Sequence, residues 1–286
     1  MDQILISVGD GIGNTIAVTP MIRALSEIFR INVLASCNFK DGWMVLQNMI
    51  EIENIYISEK DVSLDKYKHI ISTLGGLKNL SKPPTMVTPS NYYLKSEIEN
   101  NMEVARQLGY EGPTPATFCS CGPKIEGNRI CMHNGVYPGT VWERKTYPYF
   151  NELVKMVIER FDCDVWLVGQ EKYDIQNDRV VHATGKPILE TASIIKHSKF
   201  FIDTDSGLAH MGEALGTHTY IIFGPTSIMK NAPPRAHIIL PRCTPCQEFW
   251  PNGWEKMGRW GNCKNWVCMT IKPEKILDKI NENENL

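Results

Sequence analysis

Hydrophobic residues along the chain form short continuous runs that alternate with stretches of helical spacing. The runs from Ile4 to Val8 and from Asn32 to Ala35 are typical of buried parallel strands. Between them, Thr19-Pro20 indicates a helix start, and apolar residues follow at intervals of three and four. Further strands are predicted at 54–57 and 69–72, with a helix at 96–108. This alternation predicts an open α/β sheet.

The same alternation restarts after residues 109–127, which are rich in Gly, Pro and Thr and indicate a linker. The Asn- and Glu-rich tail of the chain is expected to fray. We therefore predict an α/β fold of two Rossmann-like domains facing a cleft, with residues 1–122 in the first and 123–286 in the second. The predicted elements of the second domain are strands at 129–133, 164–168, 200–202 and 219–223, and helices at 148–161, 188–197 and 207–215.

Composition and charge narrow the class of protein. Of 286 residues, 43% are hydrophobic and 22% are charged, as in globular proteins. The formal net charge of −2 gives no electrostatic reason to bind nucleic acid. The longest stretch without a charged residue is shorter than a bilayer span, so no transmembrane segment is expected. The first residues lack the basic region of a secretory signal, and we expect a cytoplasmic protein.

Nine cysteines are distributed unevenly, and four of them crowd together near the C-terminus. A chain of this size with no export signal is expected in a reducing compartment, which favours metal ligation over disulfides. Cys243, Cys246, Cys263 and Cys268 would supply the four thiolates of a tetrahedral Zn or Fe site. We predict a small structural metal-binding knob at 243–268, and the alternative is four reduced packing cysteines.

A glycine-rich turn follows the first predicted strand. It contains Gly9, Asp10, Gly11, Gly13 and Asn14 and would let backbone approach a ligand closely. The turn lacks the third glycine of a dinucleotide-binding fingerprint, and its carboxylate would repel a pyrophosphate. Asp10 could instead accept a proton from a substrate hydroxyl. The alternative is that Asp10 only caps the following helix.

A polar turn between a strand and a small-residue helix is the most informative stretch of the second half. The amides around Ser206 and Gly207 would bind a phosphate at the helix N-terminus, with His210 one turn further on. Asp205 precedes them as the second carboxylate of an Asp-x-Asp pair, which binds a divalent metal in other proteins. Its position directly ahead of Ser206-Gly207 favours helix capping and contacts with a ligand over the binding of a metal. For His210 the alternative is a half-buried structural histidine.

Two other segments could contribute to binding a phosphate. Lys145 lies just before a predicted helix start, where its ammonium group could neutralise a phosphate. Gly224 and Thr226 follow a predicted strand and could supply amide and hydroxyl donors. The alternatives are a solvated loop charge at Lys145 and a simple turn at Gly224.

These motifs, in this order, resemble the heptosyltransferases of glycosyltransferase family 9, which have the GT-B fold. The similarity covers most of the chain and continues through the cysteine cluster. It extends to the family relatives that glycosylate autotransporter proteins and carry an iron-binding finger. The residues that carry it are Gly9-Asp10 with Thr19-Pro20, Lys145 ahead of Tyr147-Pro148, Asp205-Ser206-Gly207 with His210, and Phe223-Gly224-Pro225-Thr226.

The resemblance implies an inverting transfer of a sugar from a nucleoside diphosphate donor, ADP-heptose or similar, to a hydroxyl of a glycan, a lipopolysaccharide core or a protein. The first domain would then serve the acceptor and the second the donor, and the chemistry would need no metal. The implied roles are Asp10 as general base; Gly9, Gly11, Gly13 and Asn14 as the acceptor-side loop; and Lys145, Glu171, Asp205, Ser206, Gly207, His210, Gly224 and Thr226 as the donor site.

Two other functions remain open at this point. A nucleotide-sugar epimerase of similar architecture would also bind a donor diphosphate, and a non-catalytic module could use the metal knob for assembly. The sequence also leaves open a homo-oligomer, the donor base and sugar, the acceptor and the identity of the metal.

Overall fold

A computed structural model describes residues 1–9, 11–35, 41–89, 95–135, 141–240 and 267–284. The chain divides into two compact units, Met1–Ser120 and Cys121–Leu286. Each unit is built on its own parallel sheet with helices, so the predicted α/β class with two parallel-sheet domains is confirmed. No helix in these ranges has the length and apolar character needed to cross a membrane.

The first unit contains a five-stranded sheet with the order β3-β2-β1-β4-β5. The order reverses between β1 and β4, so the loops after these two strands lie side by side. Gly9 shows how close they come, because a Cβ on it would lie 1.8 Å from the carbonyl oxygen of Leu74. The strands are β1 (Gln3–Ser7), β2 (Arg30–Leu34), β3 (Ile52–Tyr56), β4 (His69–Ser72) and β5 (Met86–Val87), and the helices are α1 (Ile12–Ala17), α2 (Thr19–Ser26) and α3 (Glu97–Gln107).

Helix α1 corrects the prediction for the glycine-rich turn. The helix begins directly after Gly11, whose φ of 98° is accessible mainly to glycine, so Gly13 and Asn14 are helical. Ile16 and its neighbours are buried, and this packing outweighs the low helix propensity of the glycine. Asp10 lies outside the described residues.

The second unit contains a six-stranded sheet with the order β11-β10-β9-β6-β7-β8, and all its described strand pairs are parallel. Helix α4 packs on it through Leu153, Val154 and Val157, which are fully buried against strand residues such as Ile130. The strands are β6 (Arg129–Met132), β7 (Asp164–Leu167), β8 (Val180–His182), β9 (Phe201–Thr204), β10 (Thr219–Ile222) and β11 (His237–Ile239). The helices are α4 (Phe150–Phe161), α5 (Ile188–Lys196), α6 (Gly207–Ala214), α7 (Ile228–Asn231) and α8 (Pro273–Glu284).

The tail that is predicted to fray forms helix α8, so that prediction is wrong through residue 284. Ile276 and Ile280 are completely buried in the core of the second unit. Glu284 Oε1 accepts hydrogen bonds from the Tyr220 hydroxyl at 2.7 Å and His218 Nδ1 at 2.8 Å. Apolar burial and these polar contacts together hold the helix against the sheet.

The predicted metal knob at 243–268 lies almost entirely outside the described residues, and so do Cys243, Cys246 and Cys263. Cys268 is described and buried in a short 3-10 helix, Val267–Met269. Within the described part of the chain, no group of three or more His, Cys, Asp or Glu side chains is arranged to hold a metal ion. The metal site therefore stays a prediction.

Candidate active site

The strand order of the second unit reverses between β9 and β6, and a group of polar side chains lies at this point. Parallel α/β sheets bind ligands outside the carboxyl ends of their strands at such a reversal. His133 directly follows β6, and its backbone amide donates to Ile202 of β9 at 3.0 Å. Asp203 is the next residue of β9, so strand pairing places the two side chains together.

His133 bridges two carboxylates. Its Nδ1 lies 2.7 Å from Asp203 Oδ1, and its Nε2 lies 3.1 Å from Glu171 Oε2. Burial alone would lower the pKa of His133, but the two carboxylates outweigh burial and raise the pKa to about 10. Burial would raise the pKa of Glu171, and the contact with His133 instead lowers it. The group is therefore a buried imidazolium between two carboxylates.

Asp203 also fixes the start of helix α6. The Ser206 hydroxyl donates to Asp203 Oδ2 at 2.6 Å, and its oxygen accepts the amide of Leu208 at 3.1 Å as the N-cap. The amide of Thr204 donates to Asp203 Oδ1 at 2.7 Å. Burial raises the pKa of Asp203, but these donors and His133 favour its ionised form. The structure thus places the predicted Ser206 and Gly207 at a helix start that a buried carboxylate anchors.

Lys145 is held in place by its neighbours. Its Nζ lies 3.3 Å from Asp205 Oδ2 and 4.9 Å from the centre of the Trp142 ring. The side chains of Lys145 and Asp205 are only 12% and 6% exposed. Asn231 Nδ2 contacts the same carboxylate oxygen at 3.4 Å. The alternative of a solvated loop charge is wrong, since this ammonium group is largely buried beside a carboxylate.

The Glu171 carboxylate rests against two glycines. A Cβ on Gly135 would lie 1.9 Å from its carboxyl carbon, and one on Gly169 would lie 2.3 Å from Oε2. Gly169 also has a φ of 110°, which favours glycine. The amide of Gln170 donates to Oε2 at 2.9 Å. The backbone therefore leaves space for a carboxylate at this position and holds it beside His133.

The remaining predicted residues lie near the same strand ends. Thr226 is buried, and its hydroxyl has no hydrogen-bond partner among the described residues. His210, on α6, is half-buried, and burial lowers its pKa against the opposing effects of Asp205 and Glu213. Gly224 packs against Met269, since a Cβ there would lie 2.2 Å from the sulfur atom.

The sequence prediction missed His133, Asn231 and Tyr173. The Tyr173 hydroxyl accepts the amide of Asn134 at 3.0 Å and so tethers the loop after β6. His133 ends an apolar strand, and its partners lie far away in sequence, so no local motif singles it out. The predicted acceptor-side residues Gly9, Gly11, Gly13 and Asn14 belong to the first unit.

Comparison with known proteins confirms the resemblance. Residues 132–248 match the sequence model of glycosyltransferase family 9 (heptosyltransferase). A glycosyl transferase family 9 structure from Veillonella parvula DSM 2008 shares 15% identity and a TM-score of 0.74, over 98% of this chain and 96% of that one. E. coli ADP-heptose LPS heptosyltransferase II shares 16% identity and a TM-score of 0.70, over 98% of each chain.

A third similar structure is the dodecameric iron-containing heptosyltransferase TibC in complex with ADP-D-β-D-heptose. It shares 12% identity and a TM-score of 0.64, over 99% of this chain and 78% of that one. At these identities the solved structures show a common fold. No curated protein sequence matches the chain.

Proposed function

We propose that this glycosyltransferase, whose residues 132–248 match family 9, moves a sugar with inversion from a nucleoside diphosphate donor to an acceptor hydroxyl in the cytoplasm. The proposed donor is ADP-heptose or a similar nucleotide sugar, and the acceptor is a glycan, a lipopolysaccharide core or a protein. One observation carries the proposal: a largely buried ammonium, Lys145, lies beside Asp205 at the carboxyl end of a strand next to the reversal of strand order. Similar structures named for ADP-heptose support this choice of donor.

Lys145 and the start of α6 are the proposed site for the donor diphosphate. During transfer the bond from the anomeric carbon to the phosphate oxygen breaks, and the electron pair leaves on the diphosphate. A positioned cation and the amides of a helix N-terminus stabilise this developing charge. The buried Thr226 hydroxyl would cost about 1–3 kcal/mol if it stayed unpaired, so a phosphate oxygen is a suitable partner.

Asp205 is proposed to exchange its partner when the donor binds. At 3.3 Å, the contact from Lys145 Nζ to Asp205 Oδ2 is long for an ion pair, and Asn231 already contacts the same oxygen. A diphosphate would attract the ammonium group more strongly than a single carboxylate does. Asp205, with Asn231 still in contact, would then be available to hydroxyls of the donor sugar.

Asp10 is proposed as the general base. Its carboxylate would take the proton of the acceptor hydroxyl while that oxygen attacks the anomeric carbon from the face opposite the diphosphate. In the sequence Asp10 comes shortly after β1, and the order of the first sheet reverses between β1 and β4, where ligands bind in such folds. Replacing Asp10 with Asn should abolish transfer and leave nucleotide binding unchanged.

Thermal stabilisation by ADP, GDP, UDP and dTDP tests the donor site. At about 100 times its dissociation constant a ligand stabilises the folded chain by about 2.7 kcal/mol, which a melting curve resolves. We expect one nucleotide to raise the melting temperature, with ADP favouring a heptose donor. The shift should disappear in Lys145→Gln, which removes the charge but keeps a donor toward Asp205.

Lys155→Gln is the matched control, because Lys155 is an exposed lysine of the same unit. It should retain the full shift. If none of the four nucleotides stabilises the native chain, the transferase proposal fails, and a metal-stabilised binding module becomes the better explanation. A shift that persists in Lys145→Gln would remove Lys145 from the donor site.

The four-cysteine metal site is proposed as a structural centre for Zn or Fe. Cys268, a soft ligand that is 5% exposed, precedes Met269, which packs on Gly224 beside the proposed donor site. A metal bound there with Cys243, Cys246 and Cys263 would cross-link this segment and take part in no chemical step. Elemental analysis of the purified chain should find about one Zn or Fe per chain. Cys246→Ser should lose it and Cys121→Ser should keep it, whereas a metal-free native chain would contradict the proposal.

A homo-oligomer is also proposed, because the similar TibC structure is dodecameric. Light scattering coupled to size-exclusion chromatography measures the mass directly, and the mass of a single chain would contradict this proposal.

A further inference from the structure

We infer that His133 is a positioning residue, which fixes the Glu171 carboxylate for recognition of the nucleotide ribose and ties it to the start of α6 through Asp203. This inference rests on the proposed donor site. His133 itself makes no contact with the donor in this scheme and acts only through its two carboxylate partners.

Both nitrogens of the imidazole ring face a carboxyl group, and two ionised carboxylates call for both nitrogens to donate. Nδ1 faces Asp203 at 2.7 Å and Nε2 faces Glu171 at 3.1 Å. A neutral imidazole has a single N–H, so it can donate to one carboxylate but not to both. The His133 side chain is 6% exposed and Asp203 is fully buried, so water cannot readily replace the contact between them. The ring is therefore an imidazolium that two carboxylates share.

The Glu171 carboxylate is held mainly through one of its oxygens. Oε2 receives both His133 Nε2 and the amide of Gln170. The side chain is still 22% exposed, so the carboxylate can be reached from solvent. The backbones of Gly135 and Gly169 pack directly against the carboxylate. A carboxylate that is fixed through Oε2 and partly exposed suits a donor such as a ribose hydroxyl.

The same imidazolium connects this carboxylate to the proposed diphosphate site. Asp203, the second partner, accepts the Ser206 hydroxyl at 2.6 Å, and Ser206 caps α6. Three side chains from separate segments are thereby fixed relative to one another: Glu171 after β7, His133 after β6 and Asp203 in β9. Loss of the imidazolium should release Glu171 first, because Asp203 keeps its bonds to Ser206 and Thr204.

Calorimetric titration with ADP and 2′,3′-dideoxy-ADP tests the inference. The native chain should bind ADP roughly tenfold or more tightly than 2′,3′-dideoxy-ADP, because one hydrogen bond to a charged group contributes about that much to affinity. In His133→Gln this preference should fall at least about fivefold, while the affinity for the dideoxy compound changes by less than about threefold. Glu171→Gln should lose the same preference, and adding His133→Gln to it should change nothing further.

His182→Gln is the control, since His182 is an exposed histidine of the same unit, and it should keep the native preference. Equal weakening of both ligands in His133→Gln would indicate a merely structural role and overturn the inference. An unchanged preference would also overturn it while leaving the donor site intact. If the thermal stabilisation assay identifies GDP or UDP as the bound nucleotide, the same comparison is made with that nucleotide and its 2′,3′-dideoxy form. If no nucleotide binds, the proposed function and this inference both fail.

A second measurement needs neither a variant nor a ligand. Long-range proton–nitrogen NMR of the native chain should show both ring nitrogens of His133 protonated at pH 7. A single protonated nitrogen would overturn the inference even if His133→Gln fails to fold.

Discussion

Gly135 offers a way to displace the Glu171 carboxylate without altering either charged residue. A Cβ on Gly135 would lie 1.9 Å from the carboxyl carbon of Glu171 and within 2.2 Å of both oxygens. The φ of Gly135 is not in the left-handed region, so alanine adds no backbone strain there. The Glu171 side chain is flexible and can swing toward solvent. We therefore predict that Gly135→Ala expels this carboxylate from His133 and leaves the backbone in place.

The cost follows from the bonds that are lost. The hydrogen bond from His133 joins two charged groups, and such bonds contribute about 1.5–3 kcal/mol. Because Glu171 is 22% exposed, water partly compensates, and a loss of about 2 kcal/mol in the free energy of unfolding is expected for Gly135→Ala at pH 7. Glu171→Ala removes the same bond and should cost a similar amount. The double variant should also lose about 2 kcal/mol, not the sum, because both changes remove one interaction.

Urea unfolding of the native chain, the two single variants and the double variant measures this cycle. Gly216→Ala is the control, since Gly216 has a φ of 78° and a Cβ added to it would have no atom within 4 Å among the described residues. It should cost about 1–2 kcal/mol from its backbone alone and add fully to Glu171→Ala. Additive losses for Gly135→Ala and Glu171→Ala would refute the reasoning, since the alanine would then be acting on the backbone.

Three other changes test the rest of the second unit. The pKa of His133 is raised from its ordinary value of 6.5 to about 10, so the imidazolium stabilises the fold fully below pH 6.5 and less as the pH rises toward about 10. The free energy of unfolding should therefore fall across this window more steeply in the native chain than in His133→Gln. Urea unfolding at each pH measures the difference. Ser206→Ala removes the N-cap of α6 and a donor to buried Asp203, and should lower the free energy of unfolding by about 1–3 kcal/mol in the same assay. Ile280→Ala should cost about 2–5 kcal/mol because the residue is fully buried, whereas Ile50→Ala, at 93% exposed, should change the melting temperature little.

The central strands were predictable because they are buried on both faces. The strand predicted at 69–72 is found with those bounds, and its two apolar residues, Ile70 and Ile71, are buried. The edge strands β8 and β11 were missed because each has three residues and is only partly buried. Helix α8 was missed because its few apolar residues stand among Asn, Glu and Lys. Its stability comes from packing on the sheet, which composition does not reveal.

The candidate site could be located from the sequence where a single segment carries its polar residues. Asp205, Ser206 and Gly207 are consecutive, and the strand-to-helix turn around them can be recognised locally. His133 is different, because its partners lie 38 and 70 residues away. Finding it requires the order of the strands, which puts β6 beside β9. A useful signal would have been a titratable residue at the carboxyl end of a strand that the topology places at the reversal.

Two charged groups lie at the carboxyl ends of the strands in the second sheet: His133 with its two carboxylates, and Lys145 with Asp205. They differ in how firmly they are held, and this difference is compatible with a transferase. His133 is locked between Asp203 and Glu171 by bonds of 2.7 and 3.1 Å, so this group can keep its geometry throughout a catalytic cycle. Lys145 has a longer contact to Asp205, which has Asn231 as a second partner. A diphosphate carries negative charge on arrival and more on departure, so the cation that meets it must be able to change partners. In the proposed donor site, the locked group would therefore serve recognition and the exchangeable cation would serve the leaving group.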